Sequence, residues 1–259
     1  MLSPGISVER RDRVAIVTIQ NEKCRDALLQ QELDEISAAF FELSREKGLR
    51  AIVLTGAGMT DFSPVMDSSD LASLDRESVI AAGRRGRQAC DAVARCEIPV
   101  IATINGTAAG LGLELAMAAH IRIAASNAKF AFEKAGLYTL HETTTAQRFR
   151  QILGAAHSGA GSIAGTVDAA EAFSFGLVNR IVEPSAVLEE SLAFAAEVAE
   201  LAPRAIRACL QAVTRGIEMS IEDGLELEAR LFSELFATED VREGTHAFLE
   251  KRKPVFCGR

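Results

Sequence analysis

Two apolar patterns alternate along the chain. Val14–Ile19, Arg50–Thr55 and Pro99–Ile104 are short runs rich in β-branched residues, and they read as buried strands. Between the first two, Leu29, Leu33, Ile36, Phe40 and Leu43 recur at spacings of four and three, which places one apolar face on a helix over Ala27–Glu46. Glu77–Cys96 reads as a second helix, and Ile121–Ala124 and Lys129–Phe132 as further short strands. Strand, helix and strand in alternation predict an α/β layered fold.

From Thr143 the pattern turns helical, over 143–153, 156–164 and 168–175, with one strand at Val178–Val182. After Pro184 it predicts helices at 185–200, 203–216, 220–237 and 239–250, with Pro203 suited to a first helical turn. The chain therefore divides into a mixed core over 1–184 and a helical region over 185–259. In that region Leu225, Leu227, Leu231, Phe232, Leu235 and Phe236 exceed one narrow stripe. A helix apolar on more than one side needs a second partner, which predicts self-association.

The 259 residues carry a net charge of -8, which argues against general binding to nucleic acid or to an anionic membrane. The five cysteines are scattered, without CxxC spacing, and no HExxH occurs. These features point to a reducing compartment and away from a structural zinc or a disulfide scaffold. The stretch MLSPGISVERRDR lacks the apolar centre of a signal peptide, and no apolar run is long enough to span a bilayer, so a cytoplasmic protein is expected.

One stretch, NGTAAGLGLELAMAA at Asn105–Ala119, concentrates chemistry. Gly106, Gly110 and Gly112 make a turn in which bulky side chains would obstruct the backbone. The first amides of the following helix can hold developing negative charge, and Glu114 sits about one turn in. A carboxylate beside such amides can shuttle a proton at an activated carbon while the amides hold an enolate. The same residues would also serve as a glycine-rich turn with a capping Glu. Upstream, Gly56–Asp75 forms a loop whose length suggests function.

Three motifs together give the chain a family resemblance. They are RAIVLTGAGMTDFSPVMD (50–67), IPVIATINGTAAGLGLELAMAAHIRIA (98–124) and ATEDVREGTHAFLEKRKPVF (237–256). In this order and spacing they resemble the crotonase, or enoyl-CoA hydratase/isomerase, superfamily. The resemblance implies a spiral of ββα units with a C-terminal helical trimerisation region, as a homotrimer or a hexamer of paired trimers. It implies an acyl-CoA substrate, with coenzyme A as part of the substrate and no further cofactor or metal. It places the oxyanion-hole amides at Met66 and Leu111, and a catalytic carboxylate at Glu114. It also places Lys23, Arg25, Ala27, Asp67, Gly110, Phe232 and Lys251 in contact with substrate or coenzyme A.

The chain departs from the family pattern where hydratases carry their second catalytic Glu. Aligned on Ala135, Gly136 and Leu137 and on Gln147 and Arg148, that position is Lys134. A lysine there favours an ionised Glu114 but is no general base unless burial strongly lowers its pKa. Pro64 and Val65 replace the usual Ala-Gly of the oxyanion loop, and His120 replaces an Asp. His141 falls close to a position that orients the substrate carboxylate in family decarboxylases. The expected activity is enoyl-CoA hydration or isomerisation. Decarboxylation, and acyl-CoA or partner binding without efficient catalysis, stand as alternatives.

Overall fold

The computed structural model describes residues 5–20, 30–63, 75–131, 147–154 and 165–259. In chain order the strands are β1 (Ile6–Arg11), β2 (Val14–Ile19), β3 (Ala51–Gly56), β4 (Val100–Ile104), β5 (Thr107–Ala109), β6 (Ile121–Ala125), β7 (Lys129–Ala131), β8 (Thr166–Asp168) and β9 (Arg180–Val182). The named helices are α1 (Gln30–Leu43), α2 (Arg76–Ala94), α3 (Gly110–Ala118), α4 (Ala169–Ser174), α5 (Val187–Ala199), α6 (Pro203–Gly216), α7 (Ile221–Leu235) and α8 (Glu239–Glu250). Residues 147–154 are also helical.

A six-stranded sheet runs in the order β1-β2-β3-β4-β6-β9, parallel except for the β1–β2 hairpin. A second sheet, β5-β7-β8, is built from three short strands. Twice the chain visits both sheets before a helix. β4 enters the large sheet, β5 the small one, and α3 follows; β6 and β7 repeat the step before 147–154. Between β3 and α2 the described residues include one isolated bridge, Asp61 with Thr107. The repeated step is the expected spiral of ββα units.

Every residue of β3 and β4 is buried, as parallel strands covered on both faces require. Leu33, Ile36, Phe40 and Leu43 face the core from α1, while Leu29 lies outside the described residues. α1 packs on α2, and α5 lies on β2, β3, β4 and β6 through Val187, Ser191, Ala195 and Ala199. Thus the first helix of the 185–259 region covers the large sheet, and the chain stands away from it only from Pro203 onward. α6 buries none of its residues, although its apolar positions form one face; it packs chiefly on α7. Val213, Ile217, Ile221, Leu225, Phe232 and Phe236 remain exposed along these two helices.

After α8 the chain reverses at Lys251, whose φ of 55° is left-handed. The returning tail is held by acids of α8. The buried Asp240 carboxylate accepts the N–H groups of Cys257 (2.7 Å) and Gly258 (2.9 Å). Glu243 accepts the Val255 N–H and two bonds from Arg252, which hold its carboxyl down at about 2. Among the described residues no helix is long and apolar enough to cross a membrane.

Candidate active site

The glycine turn after β4 is shaped by what lies against it. A Cβ on Gly106 would stand 1.9 Å from the Thr60 carbonyl oxygen, and one on Gly112 would stand 1.7 Å from Ser63 Oγ. Both positions therefore exclude any larger residue while the 60–63 segment keeps its place. Ser63 fills the space left by Gly112, and its hydroxyl lies 3.3 Å from both the N and the O of Ala109. Phe62 and Ser63 donate their N–H groups to the Thr107 carbonyl, and Thr107 returns one bond to Thr60.

Asn105 ties the two segments together. Its buried amide donates to the carbonyls of Gly56 (3.2 Å), Gly58 (3.0 Å) and Asp61 (3.1 Å), and its oxygen accepts the Gly56 N–H (3.1 Å). One side chain thus satisfies the backbone of a turn that has few partners of its own. Neither Asn105 nor Ser63 was singled out individually from sequence. The available signal was a lone polar residue between an apolar strand and a glycine.

The site's helix, α3, starts from this platform. Gly110 takes a φ of 47°, a left-handed conformation that suits glycine. No side chain caps the helix at Ala109. The Leu111 amide lies in the first turn, where no carbonyl of the same helix can reach it. Glu114 follows one turn later and is only 3% exposed, on a helix whose other buried residues are Gly, Leu, Ala and Met. A buried carboxyl group one turn behind free helix amides is a candidate for proton transfer.

The far end of α3 is fixed by charge. Arg122 is buried and donates to the carbonyls of Ala119 and Leu177, both at 2.6 Å. Burial lowers its pKa to about 10, so it stays cationic at neutral pH and complements the helix C-terminus. His120 accepts the Val100 N–H on Nδ1 at 2.9 Å, which leaves its proton on Nε2. Burial and the nearby Arg122 charge press its pKa down to about 4, so the ring is neutral. This residue belongs to the scaffold of α3.

Of the residues singled out from sequence, the structure brings Gly110, Leu111 and Glu114 together on α3. Phe232 lies exposed on α7 in an edge-to-face pair with Phe236, with ring centroids 5.1 Å apart, and Lys251 ends α8. Lys23, Arg25, Ala27, Met66, Asp67, Lys134 and His141 lie outside the described residues, as does the helix expected at 156–164. Among the described residues no cluster of His, Cys, Asp and Glu could hold a metal ion.

The chain is similar to known proteins over nearly its whole length. A family model described as Enoyl-CoA hydratase/isomerase matches residues 9–259. The short-chain-enoyl-CoA hydratase of Clostridium acetobutylicum is 34% identical over 250 residues, with 96% of each chain covered. The crotonyl-CoA hydratase of Syntrophomonas wolfei is 32% identical, with 100% of each chain covered. Among solved structures, an enoyl-CoA hydratase from Bacillus anthracis matches with a TM-score of 0.93 at 29% identity, over 98% of this chain and 100% of that one.

Proposed function

Because the chain belongs to the enoyl-CoA hydratase/isomerase family, we propose that it adds water across the conjugated double bond of a short- or medium-chain enoyl-CoA thioester. The observation that carries this reading is the seam between Ser63 and Gly112. It seats the segment three residues before Met66 against the uncapped start of α3, one turn before the buried Glu114. Two backbone amides, of Met66 and Leu111, then grip the thioester oxygen. Fixed backbone donors stabilise a developing enolate without reorganising during the reaction. Glu114 takes a proton from water as the water oxygen bonds to Cβ. The double-bond electrons move to the thioester oxygen, and Glu114 returns the proton to Cα. The product is a 3-hydroxyacyl thioester, and no electron leaves or enters the system.

Lys134 supports a second reading, isomerisation of a 3-enoyl thioester, because that reaction needs only one proton shuttle. Lys23, Arg25 and Lys251 serve as cations for the phosphates of coenzyme A. A trimer, alone or paired, completes the molecule by covering the apolar positions of α6 and α7, of which Val213 and Ile221 are 71% and 84% exposed in one chain.

The test follows loss of the conjugated-thioester absorbance of crotonyl-CoA in the wild type and in Glu114→Gln. The expected result is rapid loss in the wild type, reduced at least about a hundredfold by the substitution. Unreactive crotonyl-CoA beside rapid conversion of a 3-enoyl thioester would transfer the assignment to isomerisation. Turnover of a malonyl-type thioester alone would transfer it to decarboxylation, and turnover of none would leave a binding protein.

A further inference from the structure

A second feature lies at the other edge of the large sheet. The glycine turn and its partner loop leave the C-terminal ends of β4 and β3, whereas a cavity of about 930 Å³ opens where those strands begin. At about 3.3 Å per residue, the length of β3 alone separates the two by roughly 20 Å. The connection from α1 to β3, the start of α6 and the tail at 257–259 form its walls.

The charge in this cavity is unbalanced. Arg45, Lys47, Arg50, Arg204 and Arg207 line it, with two side-chain carboxylates, Glu46 and Glu97. Both carboxylates are already committed. Glu46 takes two bonds of 2.8 Å from Arg10, and Glu97 pairs with Arg207 at 2.9 Å. Arg259, also in the wall, turns toward Glu239 at 3.9 Å. Among the described residues Arg45, Lys47, Arg50 and Arg204 thus have no ion-pair partner, on a chain whose net charge is -8.

Arg50 is the member of this group with a buried, unpartnered donor. Its Nε is buried and has no hydrogen-bond partner among the described residues. The tail passes close to its guanidinium, since a side chain on Gly258 would begin 3.2 Å from Arg50 Nη1. The Arg45 guanidinium is held in place over the Phe41 ring at 3.7 Å. Leu49, Ile98 and Ile206 add an apolar wall to the same space. Cations gathered without counter-charges repel one another, and a bound anion relieves that repulsion through charge-assisted hydrogen bonds.

We propose that this cavity binds a phosphorylated organic molecule, with its phosphates on Arg45, Lys47, Arg50 and Arg204 and its apolar part against Leu49, Ile98 and Ile206. The site is separate from the one that contains Glu114, and it is independent of which thioester reaction occurs there.

The probe is ADP, titrated calorimetrically at low ionic strength into the wild type and into variants of the cavity. The expected result is saturable ADP binding that depends on the cavity's cations. Arg50→Met and Arg204→Ser should each weaken it at least about tenfold, while crotonyl-CoA turnover is kept and Arg84→Ser has no effect. Arg204 is exposed, so its substitution decides the matter even if Arg50→Met fails to fold. Binding that both substitutions leave unchanged, or that is absent at millimolar ADP, would overturn the proposal. Pyrophosphate binding as tightly as ADP would overturn the organic part of it.

Discussion

A methyl group on Gly112 and the hydroxyl of Ser63 cannot occupy the same place, since they would lie 1.7 Å apart. Gly112→Ala must therefore move Ser63 and loosen its contacts with Ala109, just before Leu111. The expected result is a loss in kcat of about tenfold or more, with little change in KM, because a shifted amide stabilises the enolate poorly. Adding Ser63→Gly removes the obstruction and should restore most of kcat. If the double variant is no better than the single one, the seam does not position the site. His120 makes a different prediction. Its pKa falls from 6.5 in the unfolded chain to about 4 in the fold, so the unfolded state binds the extra proton between those values. The stability that follows from keeping the ring neutral is complete above pH 6.5 and is lost as pH falls toward 4. At most this amounts to about 3 kcal/mol. His120→Asn keeps an acceptor for the Val100 amide, and thermal unfolding of the variant should depend less steeply on pH across that window. An unchanged slope would assign the acid sensitivity elsewhere.

At the scale of elements, the apolar pattern carried most of the fold. β3 and β4 are runs with no exposed position, and α1 shows its buried face at the spacing of a helix. The helices at 203–216 and 239–250 begin and end where the pattern placed them. Three strands were not legible. β1 reads ISVERR, an edge strand whose outer residues are charged because it needs only β2 beside it. β5 and β8 have three residues each and exist only through their pairing with β7. The site was half legible for a similar reason. Glycines and a single carboxylate announced a turn with chemistry, but the groups that Asn105 binds are 44 to 49 residues distant in sequence. No local pattern encodes that distance. α3 itself has no apolar face to detect, since it is surrounded by the core on nearly all sides.

For the whole molecule, the exposed apolar residues of α6 and α7 are a departure from a self-sufficient chain. Val213→Lys combined with Leu225→Lys touches only side chains that face outward in one chain, so the folding stability of that chain should change by no more than about 1 kcal/mol. Light scattering at micromolar concentration should then show the wild type as a trimer or hexamer and the double variant as smaller species. A monomeric wild type would remove the assembly from the proposal. The interlock between residues 60–63 and 105–112 also bears on how the protein breathes. The Phe62 and Ser63 amides end on Thr107, the Thr107 amide ends on Thr60, and neither segment can withdraw without breaking the other's bonds. Hydrogen exchange at these three amides should therefore occur at one common opening free energy, with the 60–63 and 105–112 segments opening and closing as a single cooperative unit.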